Sequence, residues 1–291
     1  MIKVELAFAL SAIAITIVTA LGIAIARRYL PGHFLAVAQN ERSNHSGTPR
    51  QFGGLVIVPV FFAGLYSASL FLDFPISEHS YALFSLLLLF LLGLVDDWKG
   101  LGVAVRLIGQ GFCAFLLLMG SMGFISSFPQ QIGLVLAAIS VLSLMYWINI
   151  VNFMDGLDLL TFAGLSIPLA TFAILLAGPT EELVSIGLLG AVGCGALVGF
   201  AFHNLPSAKV FLGDSGSLFL GGLSAYLIAI TALEVSPILA ILPVLYYLMD
   251  ASVTIFFRLI KRENILKSHS SHAYQIAYRK GKSPLAIAVE I

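Results

Sequence analysis

The chain has 291 residues, 59% of them hydrophobic and only 10% charged, with Lys and Arg balanced by Asp and Glu. An average soluble domain is roughly a quarter charged, so this composition excludes an ordinary water-soluble core. The two cysteines, Cys113 and Cys194, lie in separate apolar runs and form neither a disulfide nor a metal-binding pattern.

A bilayer core of about 30 Å takes about 20 apolar residues per helix. Nine stretches meet that requirement, near 4–26, 54–72, 79–95, 103–125, 131–150, 160–177, 184–202, 216–233 and 237–257. They lack period-2 alternation, which favours helices over a barrel. The tail after Pro284, PLAIAVEI, is too short to span and reads as the start of a tenth helix. The expected fold is an all-α, polytopic transmembrane helix bundle forming a single domain over residues 1–291.

Arg27 and Arg28 follow the first apolar run, which argues against a signal peptide and sets the N-terminus outside. The loops at about 27–53, 96–102, 151–159, 203–215 and 258–283 are then cytoplasmic, and 14 of the 15 Lys and Arg residues, all but Lys3, fall on that side. The opposite loops are short and carry Asp73, Glu78, Glu181, Glu182 and Glu234.

The polar motifs gather on the cytoplasmic side. The first loop holds NERSNHSGTPRQFGG, where Arg42 and Arg50 are candidate phosphate clamps and His45 adds a polar group; positive-inside charge explains the arginines equally well. VDDWKG closes the third span with Asp96, Asp97 and Lys99, and adjacent carboxylates need a cation or a shared proton. NIVNFMDGLD closes the fifth, placing Asn149, Asn152, Asp155 and Asp158 at steps of three along one helical face, unless Asp155-Gly156 instead makes a turn.

Before the eighth span, HNLPSAKVFLGDSGS supplies Asn204 and Lys209 and sets Asp214 between glycines at a helix N-terminus, where free N–H groups suit phosphate. In the last loop His269 and His272 form H-x-x-H, a spacing open to zinc but better suited, within a basic loop, to phosphate or base recognition. Five carboxylates on one face call for a divalent cation. Mg²⁺ fits best, because it uses one or two carboxylates and completes its shell with water and phosphate.

These motifs in this order, NERS-x-H with TPR and GG, VDD-x-K, N-x-x-N-x-x-DGLD, N-x-P-x-AK-x-F-x-GD-x-GS and H-x-SH-AYQ, resemble the polyprenyl-phosphate N-acetylhexosamine-1-phosphate transferases, the glycosyltransferase 4 family, over nearly the whole chain. The last motif resembles the branch that initiates O-antigen. The resemblance implies a Mg²⁺-dependent enzyme of the bacterial inner (plasma) membrane, with Mn²⁺ a substitute, that moves an N-acetylhexosamine or deoxy-N-acetylhexosamine 1-phosphate from a UDP-sugar to undecaprenyl phosphate and releases UMP. Such a step opens a lipid-linked envelope glycan, in lipopolysaccharide or cell-wall biogenesis. Its partners would be undecaprenyl phosphate, a UDP-N-acetylhexosamine and membrane lipid, with no nucleic acid and with room for a homodimer.

By the same resemblance Asp96, Asp97 and Asp214 are the catalytic candidates, with Asp214 and Asp97 at the metal. Lys99, Asn149, Asn152, Asp155, Asp158, Asn204, Lys209, His269, His272, Arg42 and His45 are the substrate-binding candidates. Leu159 departs from the pattern, standing where the family usually has glycine after DGLD. The rival class is a multi-pass transporter or channel with a cytoplasmic carboxylate ion site. It asks for ionisable residues near mid-membrane, and only Asp250 lies within a span, towards its inner end.

Overall fold

The computed structural model describes residues 2–35, 50–72, 76–120, 130–178, 180–264 and 270–291, so Arg42, His45 and His269 lie outside the described residues. Among the described residues twelve α-helices follow in chain order: α1 (Ile2–Tyr29), α2 (Gly53–Leu72), α3 (Ser80–Lys99), α4 (Val103–Met119), α5 (Gln130–Phe153), α6 (Leu160–Leu175), α7 (Glu181–Asn204), α8 (Gly213–Glu234), α9 (Pro237–Ile241), α10 (Leu245–Ile260), α11 (Ala273–Arg279) and α12 (Pro284–Glu290). Among the described residues there is no strand, only one isolated parallel bridge between Arg50 and Val210.

Among the described residues seven helical stretches are long and apolar enough to cross a membrane: α1, α2, α3, α5, α7, α8 and the run Pro237–Ile260. The expected fourth and sixth spans correspond to α4 and α6, which are apolar but have 17 and 16 residues. At 1.5 Å per residue they reach about 25 Å, just short of the hydrocarbon thickness. The expected ninth span is broken: Pro243 sits in a 3-10 turn, Leu242–Val244, between α9 and α10, where a residue with no N–H cannot continue the helical ladder.

The bundle has a centre and a rim. In the apolar windows of α7 and α8, 83% and 78% of residues are buried, against 22% for α1 and 28% for α5. α1 and α6 pack on α7, and α3, α5 and α2 pack on α8. On α1, Leu6, Leu10, Ile13, Ile17 and Leu21 are all more than half exposed. An apolar outer face is what a helix bordered by lipid tails requires.

Local chemistry sets the helix ends. Gly100, at φ 65°, takes the left-handed position that stops α3, and its N–H donates to the Asp96 carbonyl at 2.8 Å. Thr180 Oγ1 accepts the N–H of Leu183 at the start of α7, and Glu181 and Glu182 follow in the first turn where the helix dipole favours anions. Ser283 caps α12, with Pro284 in its first turn, and Ile287 of α12 is buried in the core.

Candidate active site

The DD, N-x-x-N-x-x-D and GD motifs meet at the N-terminus of α8. Two glycines hold that helix end in place. A Cβ on Gly54 of α2 would fall 2.4 Å from the nitrogen of Gly216, and one on Gly93 of α3 would fall 2.2 Å from the carbonyl oxygen of Asp214. Backbone thus meets backbone on both sides. The segment leading into α2 adds backbone bonds: Phe211 N–H donates to Arg50 O, Gly53 N–H to Phe211 O and Gly54 N–H to Leu212 O, each at 2.9 Å.

Asp97, in the last turn of α3, caps α8. Its Oδ1 accepts the N–H of Asp214 at 2.7 Å and its Oδ2 the N–H of Ser215 at 2.9 Å. A carboxylate at a helix N-terminus gains both from the orphan donors and from the dipole. Gly213, at φ 76°, precedes this cap, and a Cβ there would fall 2.7 Å from Asp97 Oδ2. The expectation that these N–H groups stand free for phosphate is therefore corrected for Asp214 and Ser215, because Asp97 already takes them.

The neighbouring Asp96 turns away from its twin. Its Oδ1 accepts the N–H of Leu101 at 2.6 Å and its Oδ2 pairs with Arg106 Nη1 of α4 at 3.1 Å. The Asp214 side chain is fixed by Asn152, whose Nδ2 donates to Asp214 Oδ1 at 2.7 Å and to Ser217 Oγ at 2.9 Å. The Asp214 carboxyl feels those of Asp96 and Asp97, and Asp155 feels those of Asp214 and Asp97. Burial pushes the Asp155 carboxyl up to about 8, the Thr161 hydroxyl bonded to it opposes the shift, and the charges of Asp214 and Asp97 add to it.

The helical row expected through Asn149, Asn152, Asp155 and Asp158 is half correct. α5 ends at Phe153, so only the two asparagines share a helix, while Asp155 and Asp158 lie in the non-helical stretch before α6, which Leu159 closes at φ 64°. Asn149 faces α4 rather than α8, with its Nδ2 donating to Gln110 Oε1 at 2.6 Å and to the Met145 carbonyl at 2.8 Å. Asp158 Oδ2 accepts the N–H of Ala208 at 3.1 Å. Asn204 Oδ1 accepts the N–H of Leu159 at 2.7 Å, and its Nδ2 donates to the Val210 carbonyl at 3.0 Å. Asp158 and Asn204, both buried, thus tie the 155–159 turn to the end of α7 and the 205–212 loop.

Lys99 and Lys209 are exposed, and the Lys99 ammonium lies 5.3 Å from the centroid of the Trp98 ring. Arg50 does not act as a free clamp: its guanidinium donates to the carbonyls of Arg27 and Leu30 at 3.0 Å, satisfying the end of α1. His272 is buried beside Asp250 of α10, with Nδ1 3.3 Å from Asp250 Oδ1. Three contributors escaped sequence reasoning: Arg106, Gly93 and Thr161. None belongs to a polar cluster, and only a basic residue opening an apolar helix could have marked Arg106.

Among the described residues no three His, Cys, Asp or Glu side chains stand ready-made at metal-ligand spacing. Mg²⁺ asks for fewer, one or two carboxylates with water and phosphate completing the shell. Carboxyl groups in mutual reach ionise together only with a cation between them. The Asp214 carboxyl, oriented by Asn152 and faced by Asp96 and Asp155, fits that requirement.

Comparison with known proteins gives the chain a family. The profile of glycosyl transferase family 4 matches residues 79–232, which include Asp96, Asp97, Asn149, Asn152, Asp155 and Asp214. A Bacillus subtilis protein named as a probable undecaprenyl-phosphate N-acetylglucosaminyl 1-phosphate transferase is 28% identical over 94% of this chain and 77% of its own length. The phospho-N-acetylmuramoyl-pentapeptide-transferase of Lacticaseibacillus paracasei is 33% identical over 79% of this chain and 76% of its own. With more than half its length matched by the profile, and relatives similar across most of theirs, the chain belongs to glycosyl transferase family 4, the polyprenyl-phosphate sugar-1-phosphate transferases.

Proposed function

We propose that this protein transfers an N-acetylhexosamine 1-phosphate, or a deoxy relative of it, from a UDP-sugar to undecaprenyl phosphate, releasing UMP, as the first step of a lipid-linked envelope glycan of the O-antigen type. The observation that carries the reading is the convergence of Asp96, Asp97, Asp155 and Asn152 on Asp214 at the head of α8. The basic residues, gathered on the same side by the sequence topology, favour a site open to the cytoplasm of a bacterial plasma membrane. The apolar flanks of the bundle let the lipid substrate approach sideways.

A phosphate monoester with a second pKa near 6 is already largely ionised at neutral pH, so the acceptor needs little help from a general base. Its oxygen attacks the β-phosphorus of the sugar nucleotide; a new P–O bond forms as the bond to the UMP oxygen breaks. Positioning and charge neutralisation then carry the rate. Bound Mg²⁺ would supply Lewis-acid stabilisation of the diphosphate charge. Asp214 would hold it, with Asp155 and Asp96 facing the same space and Asn152 keeping the Asp214 carboxyl in its rotamer. Asp97 fixes the backbone that carries Asp214. Arg106 holds Asp96.

The test is transfer of label from UDP-N-acetylglucosamine and related UDP-sugars to undecaprenyl phosphate in detergent, with Mg²⁺ or EDTA, for the wild type and Asp214→Ala. Labelled lipid that needs the metal and vanishes in the variant is the expected result. Failure with every UDP-sugar would overturn the reading, and a phosphoenzyme trapped in the absence of lipid would overturn direct attack.

A further inference from the structure

An acidic side chain inside an apolar span is costly unless it has partners. Asp250 lies within the run Pro237–Ile260 and is 8% exposed. Its carboxylate is turned towards the start of α11. Oδ1 accepts the N–H of Ala273 at 2.9 Å and lies 3.3 Å from His272 Nδ1, while Oδ2 lies 3.4 Å from the nitrogen of Tyr274. α11 has seven residues, so few of its bonds are internal and its cap decides where it sits.

The far side of the same turn docks on the catalytic end of α5. Tyr274 is buried, and its hydroxyl donates to the carbonyl of Phe153 at 3.0 Å. A Cβ on Gly156 would fall 2.2 Å from that hydroxyl oxygen, so the phenol fills the space glycine leaves beside Asp155. The His272 ring stacks on Tyr274, with centroids 5.8 Å apart and planes 18° apart. A continuous line of contacts thus runs from Asp250 through His272 and Tyr274 to the Asp155–Gly156 turn. Arg279 and Lys280, at the other end of α11, are exposed.

We infer that Asp250 is a positioning residue for the sugar-nucleotide half of the site: it anchors the start of α11 so that His272 and Tyr274 are held against the Asp155–Gly156 turn, with the basic end of the segment leading away from it. The inference rests on the transfer reaction proposed above. A polar, basic segment suits the water-soluble diphosphate substrate, whereas the polyprenyl chain is met by apolar flanks. Asp250 acts through α11 and touches no substrate.

The test uses the full chain with Asp250→Asn, Asp250→Glu and Tyr274→Phe. Transfer is measured with each substrate varied in turn, alongside thermal stability and backbone hydrogen exchange of residues 270–279. For Asp250→Asn the KM for the UDP-sugar should rise about tenfold, as for one lost charge-assisted hydrogen bond. The lipid KM should stay within about twofold, and exchange at 270–279 should quicken by about tenfold or more. Asp250→Glu should recover part of the loss, and Tyr274→Phe should shift the same KM to a smaller degree. Unchanged exchange, or equal shifts in both KM values, overturns the inference. So does misfolding of all three variants, which would make the contact purely structural. A wild type inactive with every UDP-sugar defeats the transfer reading, and the exchange result then decides the anchoring separately.

Discussion

Asp97 binds the backbone of Asp214 rather than its side chain, with Oδ1 2.7 Å from the Asp214 nitrogen and Oδ2 2.9 Å from that of Ser215. The paired aspartates of α3 therefore do different work: Asp96 meets Arg106 and Leu101, and Asp97 fixes the helix that presents Asp214. Asp97→Asn leaves one oxygen acceptor where two N–H groups need one each. It should lower transfer by about 10- to 100-fold while costing about 0.5–2 kcal/mol of stability, the range for a lost N-cap. Turnover and thermal denaturation on one preparation check this, and a variant with wild-type turnover would sink it.

The raised Asp155 carboxyl makes stability depend on pH. Its folded-state pKa of about 8 stands above the ordinary value of 3.8. Below 3.8 both states are protonated and nothing is lost. As pH climbs from there to about 8, the unfolded chain has released a proton that the folded one keeps, so stability falls, and above 8 the loss is complete. In metal-free detergent solution the wild-type Tm should fall between pH 5 and 9 more steeply than that of Asp155→Asn, whose amide does not titrate. Parallel curves would show that Asp155 ionises freely.

Leu159 tests a balance between backbone and side chain. It holds φ 64° at the residue before α6 and is 5% exposed. A left-handed leucine costs roughly 1–2 kcal/mol, and burying its side chain returns roughly 1.5–3 kcal/mol. Leu159→Gly loses the burial but relieves the strain, whereas Leu159→Ala loses the burial and keeps the strain. The glycine variant should therefore melt above the alanine variant, the reverse of the usual order at a buried site. The opposite ranking would mean that the left-handed position carries little strain.

What the sequence revealed and what it hid divide along physical lines. Bilayer thickness imposes a run of apolar residues that is visible locally, so helices were found close to their expected places. α4 and α6 came out shorter, and a proline broke the stretch 237–257. The cluster around Asp214 was legible as motifs, because each motif sits at the boundary of a span, two closing α3 and α5 and one opening α8. Its internal wiring was not. The bond from Asp97 to Asp214 crosses 117 positions and that from Asp250 to Ala273 crosses 23, and no local pattern encodes either. The fate of Asp155 and Asp158 was hidden as well, since steps of three fit a helix until it ends, and α5 ends at Phe153.

Gly93 offers the sharpest test of how the site is held, because it belongs to no motif. A Cβ there would meet Asp214 at 2.2 Å from its carbonyl oxygen and 2.4 Å from its carbonyl carbon, with the Ser215 nitrogen at 2.5 Å. All three are backbone atoms of α8 and cannot swing aside, so α3 must move away from α8 at the level of the carboxylate cluster. Asp97 rides on α3, so the same displacement stretches its bonds to Asp214 and Ser215. Misplacement of reacting groups by about 1 Å costs on the order of 100-fold in rate, and overpacking costs about 1–3 kcal/mol. Gly93→Ala should therefore lose transfer by about 100-fold with a modest fall in Tm. Gly102→Ala, where a Cβ meets nothing within 4 Å, should behave as wild type. If Gly93→Ala kept full turnover, the close approach of α3 and α8 would not be what positions Asp214.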